Sequence, residues 1–267
     1  MKPLWLIGRD IAHSPAPSMH NAALVALGQA PRYALHPVEP AGFEAALDEA
    51  ERTCAGINVT APYQLRAAAR YRAVLDDRAA ACGAVTTVVF DAGRAVRAAN
   101  TDVVGLRTAW RRANVDVRER VVAVVGAGGG ARAVVLAAHQ AGAAALTVHA
   151  RRADAADALR ELARALGLAL VDEPAHLVVL AASALDDPGA AIAGAVRGPG
   201  FVHELRYGGG ARAARDAALR GGHLFLDGTS MLLAQAQVAM ALFLGGTLPD
   251  HASAAMSGAV SSWRTWT

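Results

Sequence analysis

Short apolar runs along this chain alternate with longer stretches in which apolar residues recur every three or four positions, the pattern of alternating strands and helices. Leu4–Gly8, Arg32–Val38 and Ile57–Thr60 predict strands, with helices over Ser18–Leu27 and Gly42–Thr53. Pro62 suits the first turn of a helix reaching Arg72, where a missing N–H is harmless. Val85–Phe90 and Ala95–Ala98, joined by the Asp91–Arg94 turn, predict a hairpin. Thr101 is placed to cap a helix running to about Ala113.

The alternation continues in the second half. Strands are predicted at Val121–Val125, Ala145–His149, His176–Ala182, Phe201–Tyr207 and His223–Asp227. Helices follow over Asp154–Leu166, Ala211–Arg220 and Thr229–Leu244, and the tail from His251 to Thr267, small and polar between its tryptophans, reads as partly disordered. An α/β protein results, and the strand at Val121 begins far enough along the chain for a separate unit of ordinary domain size to precede it.

The segment from Val121 to Ala138 runs strand, glycine turn, helix, the order of a dinucleotide site. Gly126 permits the turn, Gly128 lets the backbone approach a pyrophosphate, and Ala131 allows close helix–strand packing. Free N–H groups over Gly126, Ala127, Gly128, Gly129, Gly130 and Ala131, aided by the helix dipole, suit phosphate. The next strand ends in Ala150, Arg151 and Arg152, where an NAD site would place an acidic residue for the ribose 2′-OH. Arg151 and Arg152 suit a 2′-phosphate and point to NADP, although a pair of solvated arginines would read the same.

Composition narrows the class. Across 267 residues, 54% are hydrophobic, enough for one large or two modest cores. No apolar run is long enough to span a bilayer, and Lys2–Ile7 is too short for a signal peptide, so a cytoplasmic protein without a membrane is expected. A net charge of +3 with scattered arginines does not point to nucleic acid. Cys54 and Cys82 have no metal-ligand spacing, and no metal is expected. Lys2 is the only lysine.

Polar residues in the first half gather where strands end: Ser14 and its neighbours, Asn58 and Thr60, and Asn100 to Asp102. Loops at the carboxyl ends of strands are where α/β proteins build sites. Each residue alone also has a plain role as a cap or strand end.

Together, IGRDIAHSPAPSMHN, GINVTAPYQ, GAVTTV, ANTDVVG, VVGAGGGARA and DGTSMLLAQA occur in the order and at the spacings of the shikimate dehydrogenase family, which this chain resembles from Ile7 to about Gly246. The resemblance implies two domains facing each other across a cleft. One is an N-terminal α/β substrate-binding catalytic domain, 1–102 plus 233–267; the other, 103–232, is Rossmann-like, with a parallel sheet that binds NADP. It implies reversible NADPH reduction of 3-dehydroshikimate to shikimate, and a small carboxylated ring compound as ligand. Substrate contacts are implied at Ser14, Ala16, Asn58, Thr60, Thr86, Asn100, Tyr207 and Gln235, with Asp102 as the catalytic acid/base and a monomer or homodimer as the assembly.

The chain departs from the family where the chemistry lies. The lysine expected to pair with Asp102 is replaced by Gln64, and the second serine of the HSxSP loop by Ala16. Thr86 stands for an asparagine, Ala150 for the asparagine before Arg151, and Ala181-Ala182-Ser183 for an NATS-type strand end. A glutamine amide donates a hydrogen bond but gives up no proton near neutral pH, whereas reducing a ketone requires a proton donor or cation at the developing alkoxide. Tyr63, beside Gln64, is one candidate donor, though it reads equally as core. Three readings stay open: an NADP-dependent oxidoreductase on shikimate or a relative with different ring oxygens, the same fold with changed chemistry, and a catalytically silent ligand-binding protein.

Overall fold

The computed structural model describes residues 2–261, so the end of the predicted disordered tail, 262–267, lies outside the described residues. The described chain divides into two compact units: 2–101 with 233–261, and Asp102–Leu232.

In the first unit β1 (Leu4–Gly8), α1 (Ala16–Ala26), β2 (Tyr33–Pro37), α2 (Phe43–Thr53) and β3 (Gly56–Val59) alternate along the chain. Then come α3 (Gln64–Arg70), α4 (Asp77–Cys82) and the hairpin of β4 (Thr87–Asp91) and β5 (Arg94–Ala99). The sheet order is β2-β1-β3-β4-β5; the first three strands are parallel, and β4 runs antiparallel to both β3 and β5. Ala92 and Gly93 both take positive φ, of 47° and 77°, which closes the hairpin in the sense its right-handed strand twist favours. One core gathers Ile7, Phe43, Leu47, Ile57, Val59 and Val88 on the sheet and the helix packed against it.

Two expectations change here. The helix after β3 starts at Gln64 rather than Pro62, and Pro62 lies in the preceding turn after a cis Ala61–Pro62 bond. Thr101 engages its hydroxyl with Thr86 and Gln235 instead of serving the helix that follows.

The second unit contains α5 (Asp102–Arg112), β6 (Val121–Val125), α6 (Gly129–Gln140), β7 (Ala145–His149), α7 (Ala153–Ala165), β8 (Ala169–Leu170) and β9 (Ala175–Leu180). It continues with α8 (Pro188–Ala193), β10 (Val196–Glu204), α9 (Arg212–Arg220), β11 (Leu224–Leu226) and the start of α10 (Thr229–Phe243). Its six strands are all parallel, in the order β8-β7-β6-β9-β10-β11. Numbered within the unit this is 3-2-1-4-5-6, the doubly wound dinucleotide order, with its switch point between β6 and β9. The central strand β6 is wholly apolar, and β9 is apolar apart from His176, as strands buried on both faces of a parallel sheet are. Ala131, Ala133, Ala137 and Ala138 bury a small-residue face of α6.

The last helix, α11 (Asp250–Ser261), replaces most of the expected disordered tail. Ala252, Met256 and Val260, four apart, form its buried stripe, and it packs on α1 within the first unit. Among the described residues no helix is long and apolar enough to cross a membrane.

Candidate active site

Topology brings the first unit's polar motifs to one sheet edge. The parallel order β2-β1-β3 places a switch point between β1 and β3, so a crevice opens beyond their carboxyl ends. Because β4 runs antiparallel to β3, its amino end meets that same edge, and β5 returns to it with its carboxyl end. Thr60, Thr86 and Asn100 therefore converge although they are far apart in sequence. The Thr60 N–H donates to the Ile7 carbonyl (2.9 Å) and the Val59 N–H to the Thr86 carbonyl (2.9 Å). Gly8 makes the close approach possible: a Cβ there would lie 2.4 Å from the Thr60 methyl and 2.5 Å from an Ile11 methyl.

Hydrogen bonding sorts the expected substrate residues. The Asn58 side chain accepts from the Tyr33 hydroxyl (2.8 Å) and donates to the Thr86 carbonyl (3.1 Å) and the Thr87 hydroxyl (2.9 Å). Both of its N–H groups are therefore consumed inside the sheet. Asn100 is buried and donates to the Ala84 carbonyl (2.9 Å), while the buried Thr86 hydroxyl accepts from the Thr101 N–H (2.8 Å). These three residues are tied into the sheet beneath the edge by these bonds. Ala16 is buried at the start of α1 and its N–H donates to Ser14 Oγ (3.3 Å).

Several less buried polar residues also lie along this edge. Ser14, Thr60 and Gln235 are half-buried. Gln64, the first residue of α3, is 8% exposed, and its amide has no hydrogen-bond partner among the described residues. Tyr63 is no substitute acid. It stacks on Phe43 with centroids 4.4 Å apart, and its hydroxyl donates to the Val38 carbonyl, away from Gln64's amide. Tyr207 lies in the second unit, half-buried just beyond the carboxyl end of β10.

Asp102 opens α5 in the second unit, partly buried and without a hydrogen-bond or ion partner among the described residues. Burial disfavours its charge and pushes its carboxyl up to about 6. Its helix is anchored by Trp110, whose indole N–H donates to Nδ1 of buried His203 (3.1 Å). Burial also keeps that imidazole neutral, with its pKa lowered to about 3, so Nδ1 stays available as an acceptor.

The second unit's switch point carries the glycine turn. Gly126 has φ +122°, and a Cβ on it would lie 2.9 Å from the peptide joining Ala181 to Ala182 at the end of β9. At Gly128, by contrast, φ is −85° and a Cβ would meet nothing within 4 Å. No side chain caps α6, so the N–H groups of its first turn keep their donors for a ligand. Gly129 and Ala131 are buried, Ala131 serving helix–strand contact as the sequence implies, while Ala127 and Gly130 stay half-buried in the turn. Arg151 and Arg152 follow β7 with side chains 78% and 75% exposed, in a 3.7 Å pair with Asp186 and a 3.9 Å pair with Asp154. An uncapped helix start, open space at Gly128 and two unencumbered guanidinium groups fit a phosphorylated dinucleotide.

The two glycines should respond differently to alanine. Gly126→Ala combines a disfavoured φ with a backbone clash and should destabilise the protein by about 1–3 kcal/mol, several degrees of melting temperature. Gly128→Ala should leave the melting temperature within about a degree and weaken NADPH binding at least tenfold, about 1.4 kcal/mol. Thermal melts and cofactor titrations of both variants check this, and unimpaired NADPH binding by Gly128→Ala would refute a pyrophosphate there.

Fold and site together define an α/β protein whose second unit is of the doubly wound dinucleotide type. The chain belongs to the shikimate dehydrogenase family. It is 35% identical over 254 residues to the NADP(+) shikimate dehydrogenase of Halobacterium salinarum, covering 91% of this chain and 94% of that protein. A second relative, the NADP(+) shikimate dehydrogenase of Rubrobacter xylanophilus, is 38% identical over 163 residues, 61% of this chain and 57% of the relative. Residues 6–88 match the family described as the shikimate dehydrogenase substrate binding domain. The structure superposes on Thermus thermophilus shikimate 5-dehydrogenase, solved with NADP(H) and shikimate, with a TM-score of 0.80, 28% identity, and 98% of this chain and 99% of that one covered. Mycobacterium tuberculosis shikimate dehydrogenase gives 0.81 at 27% identity, covering 98% and 100%.

Proposed function

We propose that this protein is an NADP-dependent oxidoreductase that interconverts a ring hydroxyl and a ketone on shikimate, 3-dehydroshikimate or a closely related carboxylated alicyclic acid. The observation that carries the reading is Asp102: a partly buried, unpartnered carboxyl held near neutral. A general acid/base is most effective with its pKa near the working pH. NADP, when bound, supplies the hydride chemistry. The α6 N-terminus and Gly128 would hold its pyrophosphate, and Arg151 and Arg152 would hold its 2′-phosphate.

In the oxidising direction the ionised Asp102 carboxylate takes the proton of the ring hydroxyl; in the reducing direction the protonated carboxyl returns it. Ser14 serves the substrate carboxylate, and Thr60 and Gln235 serve ring oxygens. Gln64 adds a neutral donor where the family has a cation, which supports a ring whose oxygens differ from shikimate's and a slow rate on shikimate itself.

The test is a coupled assay with shikimate and each oxidised cofactor, followed by NADPH titration of Arg151→Ala. Substrate oxidation should require NADP+ in preference to NAD+. Removing one charge-assisted bond should weaken NADPH by about 1–3 kcal/mol, roughly 5- to 150-fold, and leave NADH unchanged. The exposed Asp186 pair contributes little, so the melting temperature should not move. Equal titration curves for the two cofactors would refute the phosphate role.

A further inference from the structure

We propose that Thr101 is a positioning residue that locks the Gln235 side-chain amide with its nitrogen outward, so that the ligand bound at this edge presents an acceptor oxygen there. The inference rests on the proposed function for the ligand and on a chain of hydrogen bonds for the direction. The chain starts at a group whose polarity is certain. The Thr86 backbone carbonyl can only accept, so the Asn58 atom 3.1 Å from it is Nδ2. Nδ2 also donates to the Thr87 hydroxyl (2.9 Å), and Asn58 Oδ1 is left to accept from Tyr33 (2.8 Å).

With Thr87 Oγ1 accepting from Asn58, its own proton goes to Thr101 Oγ1 at 3.4 Å. Thr86 Oγ1 accepts from the Thr101 N–H (2.8 Å), and its proton has a choice. Thr101 Oγ1 is 3.0 Å away; the Ala99 carbonyl, 3.5 Å away, already takes the Thr86 N–H at 2.9 Å. Thr101 is the nearer of the two by 3.0 against 3.5 Å. Two hydroxyls therefore donate to Thr101 Oγ1, which fills its acceptor sites and forces its proton outward to Gln235, 3.1 Å away. The Gln235 atom that receives it must be Oε1. The amide nitrogen then faces away with two N–H donors and no partner among the described residues, in a half-buried side chain of α10. Tyr33, Asn58, Thr87, Thr86, Thr101 and Gln235 all lie in the first unit, so one internal network sets the polarity.

NMR of the full-length protein reads this without a turnover assay. In the wild type the Gln235 Nε2 protons should show only a weak nuclear Overhauser effect to the Thr101 side chain, and their resonances should shift on titration with shikimate. Thr101→Val should restore amide rotation, strengthen that effect at residue 101 and weaken shikimate at least threefold. Thr101→Ser, which keeps the hydroxyl, should recover wild-type behaviour. A strong Overhauser effect between the Nε2 protons and Thr101 in the wild type overturns the orientation. Shikimate binding seen at Thr60 but without a shift at Gln235 Nε2 overturns the acceptor assignment. If shikimate shifts no resonance, the substrate under the proposed function fails. An amide that is fixed in the wild type and in Thr101→Ser but rotates in Thr101→Val then still supports the positioning role.

Discussion

Asp102→Asn is expected to reduce turnover at least about a hundredfold while leaving the protein more stable at pH 7.5 than the wild type. The first effect follows from removing the proton carrier, since general acid/base groups contribute roughly 10²–10⁴ in rate. The second follows from burial. The folded carboxyl titrates near 6 against 3.8 for a free one, so the native state binds more protons than the unfolded state between those values. Stability contributed by the neutral form is therefore fully present below about pH 4 and is lost as pH rises to 6. The difference, 6 − 3.8, is about two pKa units or roughly 3 kcal/mol. Loss of a first-turn carboxylate offsets about 0.3–1 kcal/mol of this.

The variant should thus melt a few degrees higher at pH 7.5 and no higher at pH 4. Melting curves across that range, beside rates, separate the roles: a variant that keeps its turnover and melts lower would make Asp102 a helix-stabilising residue. The same titration sets the wild-type pH profile. Oxidation should rise through pH 6 as the carboxylate forms, and reduction should fall above it.

Gln64→Lys is expected to raise shikimate oxidation by about tenfold or more, because an ammonium can stabilise or protonate the ring oxygen where an amide only donates a hydrogen bond. Stability should move the other way. Position 64 is 8% exposed and opens a helix, and a cation at a helix N-terminus is disfavoured by about 0.3–1 kcal/mol before desolvation is counted. The Gln64→Met control keeps the length without charge or donor and should give no gain. A wild-type rate on shikimate already within about 1–10³ s⁻¹ would show that Gln64 is no handicap. A gain confined to shikimate would mark Gln64 as the residue that turned the site toward another ring.

Much of the architecture is legible in the sequence because its causes are local. The apolar run Val121–Val125, the glycines after it and the alanine face of α6 follow from strand, turn and helix rules that act within a few residues. The hairpin is legible for the same reason, through the turn residues between β4 and β5. The short helices α4 and α8 and the strand β8 leave no such signal, because each spans too few residues to show a period.

Tertiary structure alone decided which internal partners the motif residues have. A buried amide or hydroxyl must find partners, and the folded sheet supplies those of Asn58, Thr86 and Asn100 from Tyr33, Thr87, Ala84 and Thr101. Tyr63 became core through Phe43 and Val38, both distant in sequence. The tail became a helix because Ala252, Met256 and Val260 found α1 to pack against. The sequence by itself determined the βα alternation, the glycine turn, the arginines after β7 and the loss of the lysine, all expressed in residue type and near-neighbour spacing. The carboxyl pKa of Asp102 and the polarity of Gln235 depend on burial and on hydrogen-bond direction across the sheet, and these exist only once distant strands have met.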